Sequence, residues 1–336
     1  LEKNVTVFIQ LQDVRMWGEE GNTLDDFRAD NFDLHQAYVE VKKQGNTNLA
    51  ARAGRQQVVF GGQRLVGAVN WAQQGRSFDA VKLSAGDERL HIDILGAVLA
   101  NDITATFDAD ARFLAAYGQV KEVGPGTLEA YGLHNKIAAA APTSQLTLGA
   151  RWWGASDNID FRVEGSYQIG ERQDVDVSAF MLGGRVGTRL NDGKASIALW
   201  YDYLSGDDDP ADDQIKVFDT LFATNHKFYG LADYFLNIPV HTGGRGLQDI
   251  ALKGSWMAAD VVTFRAEAHS FHAAQSEGLS TGHFGEEFDI TAAYRYTSNL
   301  GFSAGISYIM AADGFADIGR LTENVFWTHI MMDASF

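Results

Sequence analysis

The sequence predicts an all-β chain, a transmembrane antiparallel up-and-down β-barrel of about sixteen strands forming one domain over residues 1–336. Three observations carry this. Apolar and polar residues alternate with period two from end to end, the alternating runs are about ten residues long, and the separators between them alternate between short and long. Composition agrees, with 35 Gly, 4 Pro and 12% aromatic residues.

The alternation is clear at 159–171, where Phe161, Val163, Tyr167 and Ile169 share one face and Asp160, Arg162, Glu164, Ser166 and Gln168 the other. It recurs at 262–270, with Phe264, Ala266 and Ala268 opposite Thr263, Arg265, Glu267 and His269. At 288–297 it sets Phe288, Ile290, Ala292, Tyr294 and Tyr296 against Asp289, Thr291 and Arg295. Runs of this length suit a tilted strand crossing a bilayer. The short separators are 44–46, 85–88, 124–127, 155–158, 191–193, 258–260 and 298–299. The long ones are 14–32, 58–74, 204–245, 274–285 and 311–324. Short periplasmic turns at one end and long extracellular loops at the other are the pattern of an outer-membrane barrel. The runs begin at 5–12 and finish at 325–336, and an even count lets a barrel close without an unsatisfied edge. The last run puts Phe326, Thr328, Ile330, Met332, Ala334 and Phe336 on one face, and a terminal aromatic is typical of bacterial outer-membrane strands. A soluble sandwich would pack Val, Ile and Leu on its inner face. Here that face is rich in Ala, Gly, Tyr and Phe, while charges recur on the opposite face, as expected of lipid outside and a polar lumen within.

Charge and composition exclude several classes. Lys and Arg total 27 against 44 Asp and Glu, a net −17, which argues against nucleic acid as partner. Much of the excess lies in long loops, including Glu19, Glu20, Asp25, Asp26 and Asp30, so the net figure does not describe the pore. Cysteine is absent, which removes disulfides, thiolate metal sites and cysteine nucleophiles. No uncharged apolar window approaches the length of a membrane helix. Leu1 is neither an initiator Met nor the start of a leader, as expected of a processed chain.

No enzymatic constellation, metal site or cofactor motif is expected. His226 lacks a second His at ligand spacing, and His269 and His272 point to opposite faces of one strand. Gly183, Gly184 and Gly187 imitate a dinucleotide fingerprint without a βαβ unit around them. The acidic run 207–213 is read as a solvated loop, with calcium as the alternative. Alternation turns Arg52, Lys82, Arg151, Arg162, Lys253, Arg265 and Arg295 inward, together with Glu40, Asp93, Asp160, Glu164, Asp249, Glu267, Asp289 and Asp333. These charges either stiffen a water-filled wall as ion pairs or present arginines to a substrate carboxylate.

Two stretches are more specific. One runs Gly54-Arg55-Gln56, then Gly61-Gly62-Gln63-Arg64-Leu65-Val66-Gly67, Trp71, and Gly75-Arg76-Ser77-Phe78-Asp79-Ala80-Val81. The other runs from Phe218-Asp219-Thr220-Leu221-Phe222-Ala223-Thr224-Asn225-His226-Lys227-Phe228-Tyr229-Gly230 through Ala232-Asp233-Tyr234-Phe235 to Gly246-Leu247-Gln248-Asp249. With Leu34-His35-Gln36-Ala37-Tyr38-Val39, they resemble the signatures of the alginate export family of outer-membrane β-barrels, in order and over nearly the whole chain.

The resemblance implies a monomeric barrel of about eighteen strands in the bacterial outer membrane that passes an anionic polysaccharide or a smaller anionic solute, such as an organic acid, passively. It carries over Arg55, Arg64, Arg76 and Asp79 from the first motif, and Asp219, His226, Lys227, Tyr229 and Asp233 from the second. With Arg151, Arg162, Arg265 and Arg295 these are the expected pore residues. Both motifs lie in segments too long to be mere connectors, and are expected to fold toward the mouth or lumen, either narrowing the pore or plugging it. The family also shows an arginine-rich hairpin before the segment that begins at Val5. Either such a hairpin is missing here, or sixteen strands close directly, 325–336 on 5–12. A lumen that is not clearly basic leaves the cargo open. A barrel that sheathes or anchors a periplasmic or envelope partner is the alternative to a channel.

Overall fold

The computed structural model describes residues 4–14, 32–45, 47–72, 74–100, 110–138, 142–209 and 211–336. The acidic residues expected in the loop at 14–32, Glu19, Glu20, Asp25, Asp26 and Asp30, lie outside them. Sixteen long strands follow one another: β1 (Val5–Asp13), β2 (Phe32–Lys43), β3 (Asn48–Gln56), β4 (Phe78–Gly86), β5 (Leu90–Ala100), β6 (Asp110–Val123), β7 (Gly126–Ala138), β8 (Thr143–Ser156), β9 (Ile159–Arg172), β10 (Val175–Leu190), β11 (Ala195–Leu204), then β13 (Leu247–Ala259), β14 (Val262–His272), β15 (His283–Arg295), β16 (Leu300–Ala311) and β17 (Val325–Ala334). The two-residue β12 (Gln214–Ile215) lies in the long loop after β11 and pairs in parallel with β10. Each long strand pairs antiparallel with the next, and β11 reaches β13 directly. Among the described residues, no helix is long and apolar enough to cross a membrane. The backbone is instead satisfied by its neighbours in the sheet, as lipid requires.

Alternation sorts the two faces as the sequence predicts. On β9 Val163, Tyr167 and Ile169 point outward and Arg162, Glu164, Ser166 and Gln168 are buried inside. Phe288, Ile290 and Tyr294 on β15, and Phe326, Ile330 and Met332 on β17, likewise face out. Among the described residues, β1 pairs only with β2 and β17 only with β16, so the direct closure of 325–336 on 5–12 is not formed. The two edges carry exposed side chains such as Ile9 and Ile330.

The inner face departs from expectation over the half nearer the long loops. It is apolar there, with Leu95, Phe113, Leu133 and Met181 fully buried. These wall residues pack against Phe60, Leu65 and Val66 from residues 57–77, and against Phe218, Phe228, Tyr229, Phe235 and Ile238 from residues 205–246. The short helices α1 (Ile238–His241) and α2 (Asp313–Asp317) cap this mass, α2 through Phe315. The lumen therefore contains a hydrophobic core of its own, built where the two long segments fold inward. Burying their aromatic rings is favourable only against an apolar wall.

Candidate functional site

The two inward segments hold each other. Val66 and Phe222 form a parallel bridge, Phe222 N donates to Leu65 O at 2.9 Å, and Gly67 N donates to Phe222 O at 2.9 Å. Thr224 N donates to Gln63 O at 3.0 Å, and Thr224 Oγ1 lies 3.0 Å from Gln63 Oε1. Gly67 has to be glycine for this approach, because a Cβ there would sit 2.3 Å from Thr224 Oγ1. The resemblance expected both segments in the lumen, and the structure joins them there into one unit.

Arg64 is the pin of that unit. Its Nη1 donates to Asp202 Oδ2 at 2.8 Å and to the Tyr229 hydroxyl at 2.9 Å, and its Nε lies 3.4 Å from Glu164 Oε2. The guanidinium stacks 4.1 Å above the Phe228 ring. Burial works against its charge, but Asp202, Tyr229 and Glu164 outweigh that and raise its pKa further. With 1% of its surface exposed, Arg64 does not line an open pore as expected; its charge is consumed in holding Tyr229 and the second segment to the wall.

The other predicted residues divide. Arg76 is half-buried, its Nη1 3.4 Å from Ala223 O and its guanidinium 5.7 Å from the Phe222 ring. Asp219 is an anchor: its backbone N–H and C=O pair with the Gln168 amide at 2.9 and 2.7 Å, and its carboxylate lies 3.4 Å from Arg172. His226 Nδ1 lies 2.7 Å from Asp233 Oδ1, and the ring stacks 4.0 Å from Trp71, which in turn meets His329 of β17 edge-on. Arg55 and Asp79 are cross-strand partners 4.0 Å apart at the long-loop rim. Asp79 shares the outward face of Val81 and Leu83, and Arg55 lies an odd step from inward Arg52, so neither faces the pore. Arg265 is exposed, and Arg295 Nη2 donates to Asp260 O at 2.7 Å beside a short turn. Neither belongs to the cavity described next.

Beneath the joined segments, toward the short-turn end, lies a cavity of about 810 Å³. Lys121, Arg151, Arg162, Arg185 and Lys227 line it against only Glu122 and Asp160, five basic side chains to two acidic. Arg151 is neutralised by Glu129 at 2.8 Å, and Arg185 by Asp160. Arg162 has no ion pair among the described residues: it is 6% exposed, lies near the rings of Trp200 (4.3 Å) and Phe228 (5.6 Å), and its buried Nε and Nη2, like those of Arg64, lack a hydrogen-bond partner. Lys227 donates to Gly62 O at 3.2 Å and, among the described residues, makes no ion pair. Burial, and then the like charges of Arg162, Arg151 and Arg64, hold its ammonium below the ordinary lysine range.

Arg185, Trp200 and Glu129 were not foreseen. Arg185 carried a usable signal, because it sits an even step from Gly183 and Gly187 while Leu182 and Val186 face lipid. The acidic run is bound internally: Lys216 Nζ reaches Asp208 at 2.5 Å and Asp212 at 3.0 Å, which places an ammonium where calcium was the alternative. Pro210 lies outside the described residues.

Among curated proteins none matches the chain in sequence. Solved outer-membrane proteins of Pseudomonas aeruginosa share the fold. OccK5 (OpdH) superposes with a TM-score of 0.58 at 13% identity, covering 88% of this chain and 80% of that one. OprD gives 0.58 at 15% identity, covering 88% and 78%. OccK2 (OpdF), solved in complex with glucuronate, gives 0.57 at 14% identity, covering 88% and 79%. The family model for alginate export matches residues 1–316. With its motifs joined inside an antiparallel sheet whose outer face is apolar, the chain belongs to the alginate export family and is a channel-type β-barrel of the bacterial outer membrane.

Proposed function

We propose that the barrel passes small carboxylate-bearing solutes, sugar acids of one or two units or similar organic acids, and that the basic cavity is where they bind in transit. The observation that carries this is a cavity of about 810 Å³ lined by five basic side chains against two acidic ones, of which Arg162 and Lys227 make no ion pair among the described residues. A guanidinium fork matches a carboxylate, and the flanking Trp200 and Phe228 rings hold the fork in place. The volume is that of a small-molecule site. OccK2, a fold neighbour, was solved with glucuronate, which supports a sugar acid as the first solute to try.

An extended polysaccharide is the less favoured cargo, because the joined segments occupy the lumen above the cavity. Passing a chain would require breaking the buried Arg64–Asp202 pair, and breaking such pairs costs about 3–5 kcal/mol. The same filled lumen favours a second reading, a structural barrel that anchors an envelope partner. Planar-bilayer recordings separate the two. Glucuronate added to one side should block the chloride current in a saturable way and glucose should not. A correctly folded barrel with no conductance would favour the structural reading.

A further inference from the structure

A second polar cluster lies on the inner wall across β13, β14 and β15, apart from the basic cavity. Glu267 of β14 and Asp289 of β15 are direct cross-strand partners, and His269 lies two residues on along the same face of β14. One ligand atom from each of the three lies within 4.8 Å of the other two. His269 Nδ1 is 3.0 Å from both carboxylate oxygens of Asp249, which leaves Nε2 turned toward Glu267 at 3.4 Å.

The cluster leaves hydrogen-bonding capacity unused. Asp289 is 1% exposed; its Oδ1 accepts from Ser307 Oγ at 2.5 Å and, among the described residues, its Oδ2 has no partner. Neighbouring Glu287 is fully buried; its Oε1 accepts from Ala232 N at 2.8 Å and its Oε2 is likewise unpartnered. Four carboxylates, Asp249, Glu267, Glu287 and Asp289, thus face one ammonium, Lys253 at 2.5 Å from Glu267, and one imidazole. Asp289 Oδ2 and Glu287 Oε2 are thus buried oxygens without a hydrogen-bond partner among the described residues, a costly state in an inner wall.

We propose that Glu267, His269 and Asp289 bind a divalent transition-metal ion of the zinc type, with Asp249 orienting His269 from behind. The donor set is one imidazole and two carboxylates, which suits zinc or its first-row neighbours. A carboxylate on the far nitrogen is the usual support of a metal-bound histidine. Ligands arranged tetrahedrally at about 2.1 Å from one ion stand about 3.4 Å apart. Glu267 and His269 are already at 3.4 Å, and the other separations, none above 4.8 Å, close by at most about 1.4 Å to complete the site. The ion would also stiffen the seat of the second inward segment, since Glu287 holds Ala232, and Gly230 passes so near Glu287 that a Cβ would lie 2.4 Å from it. Histidine spacing within one strand could not reveal this set, because one ligand comes from the next strand.

The test uses the full chain, refolded in detergent, stripped with EDTA and titrated with Zn²⁺ by calorimetry and with Co²⁺ by visible absorption. The expected result is one equivalent of Zn²⁺ per barrel and a cobalt absorption band typical of nitrogen and oxygen ligands. Asp289→Asn and His269→Gln remove ligands and should abolish one-equivalent uptake, whereas Asp249→Asn, behind His269, should weaken it about 10- to 100-fold. Lys253→Met, which removes a competing cation, should tighten it, and His226→Asn, at the other His–Asp pair, should leave it unchanged. Heat-modifiable gel mobility checks folding. If the Asp289 and His269 variants do not fold, the wild-type cobalt band and the Lys253→Met effect decide. No one-equivalent uptake by the wild type, or uptake indifferent to these substitutions, overturns the proposal and leaves the carboxylates sharing protons instead.

Discussion

Arg162 lies 4.3 Å over the Trp200 ring at the inner wall, buried yet without a hydrogen bond to Nε or Nη2, while its register partner on β10, Arg185, is paired with Asp160. The wall therefore holds two guanidinium groups in sequence register but unlike in state, one ion-paired and one without an ion pair among the described residues. Arg162→Met keeps the packing on Trp200 and removes the charge. Hydrogen bonds to charged groups contribute about 1.5–3 kcal/mol, so glucuronate block should weaken about 10- to 100-fold, with folding intact. Arg185→Met should alter block far less.

Arg64 is predicted to matter for stability rather than for solute affinity. Removing either partner of the buried Arg64–Asp202 pair, by Arg64→Met or Asp202→Asn, leaves the other uncompensated and should cost about 3–5 kcal/mol in urea unfolding from lipid vesicles. Conductance should rise as the joined segments loosen. Unchanged stability in both variants would contradict the pinning role.

The charge on Lys227 gives a pH signature. Its folded pKa is depressed, so the ammonium is lost, on raising pH, below the ordinary lysine value of about 10.4. Anion preference should therefore decline over the alkaline range in the wild type and lack that step in Lys227→Met. A step of equal size in the variant would assign it to another group.

Gly67→Ala tests the junction of the two segments. The new methyl would meet Thr224 Oγ1 at 2.3 Å, and the segments must part to admit it. Larger and noisier single-channel currents are expected. Thr224→Ala in the same chain should relieve the effect only in part, because Gln63 Cβ remains 2.9 Å away.

The strands were legible in the sequence wherever alternation had lipid on one side. Val163, Tyr167 and Ile169 face outward, as their spacing requires. Less legible was the link at Gln173 and Asp174, a two-residue turn with φ of 56° and 62°, because it contains no Gly and sits at the end where loops were expected to be long. The inner core was hidden for a different reason. Leu95 and Phe113 occupy lumen positions, and only the fold of distant segments 57–77 and 205–246 makes an apolar lumen wall favourable there. Alternation turned Arg151 and Arg162 inward, but it could not say that Glu129 pairs with the first while, among the described residues, no carboxylate forms an ion pair with the second. Arg64, chosen from its motif, is inward but spent on a buried network, and Arg55 and Asp79 came from the same motif on the opposite face of the sheet.

The measurement that bears most directly on the channel reading is the reversal potential of the wild-type barrel and of Arg162→Met/Lys227→Met under a KCl gradient in a planar bilayer. The expected result is an anion-selective wild type and a double variant that is folded, conducts, and has lost that preference. A cation-selective wild type, or a preference for anions that survives in the double variant, would contradict it.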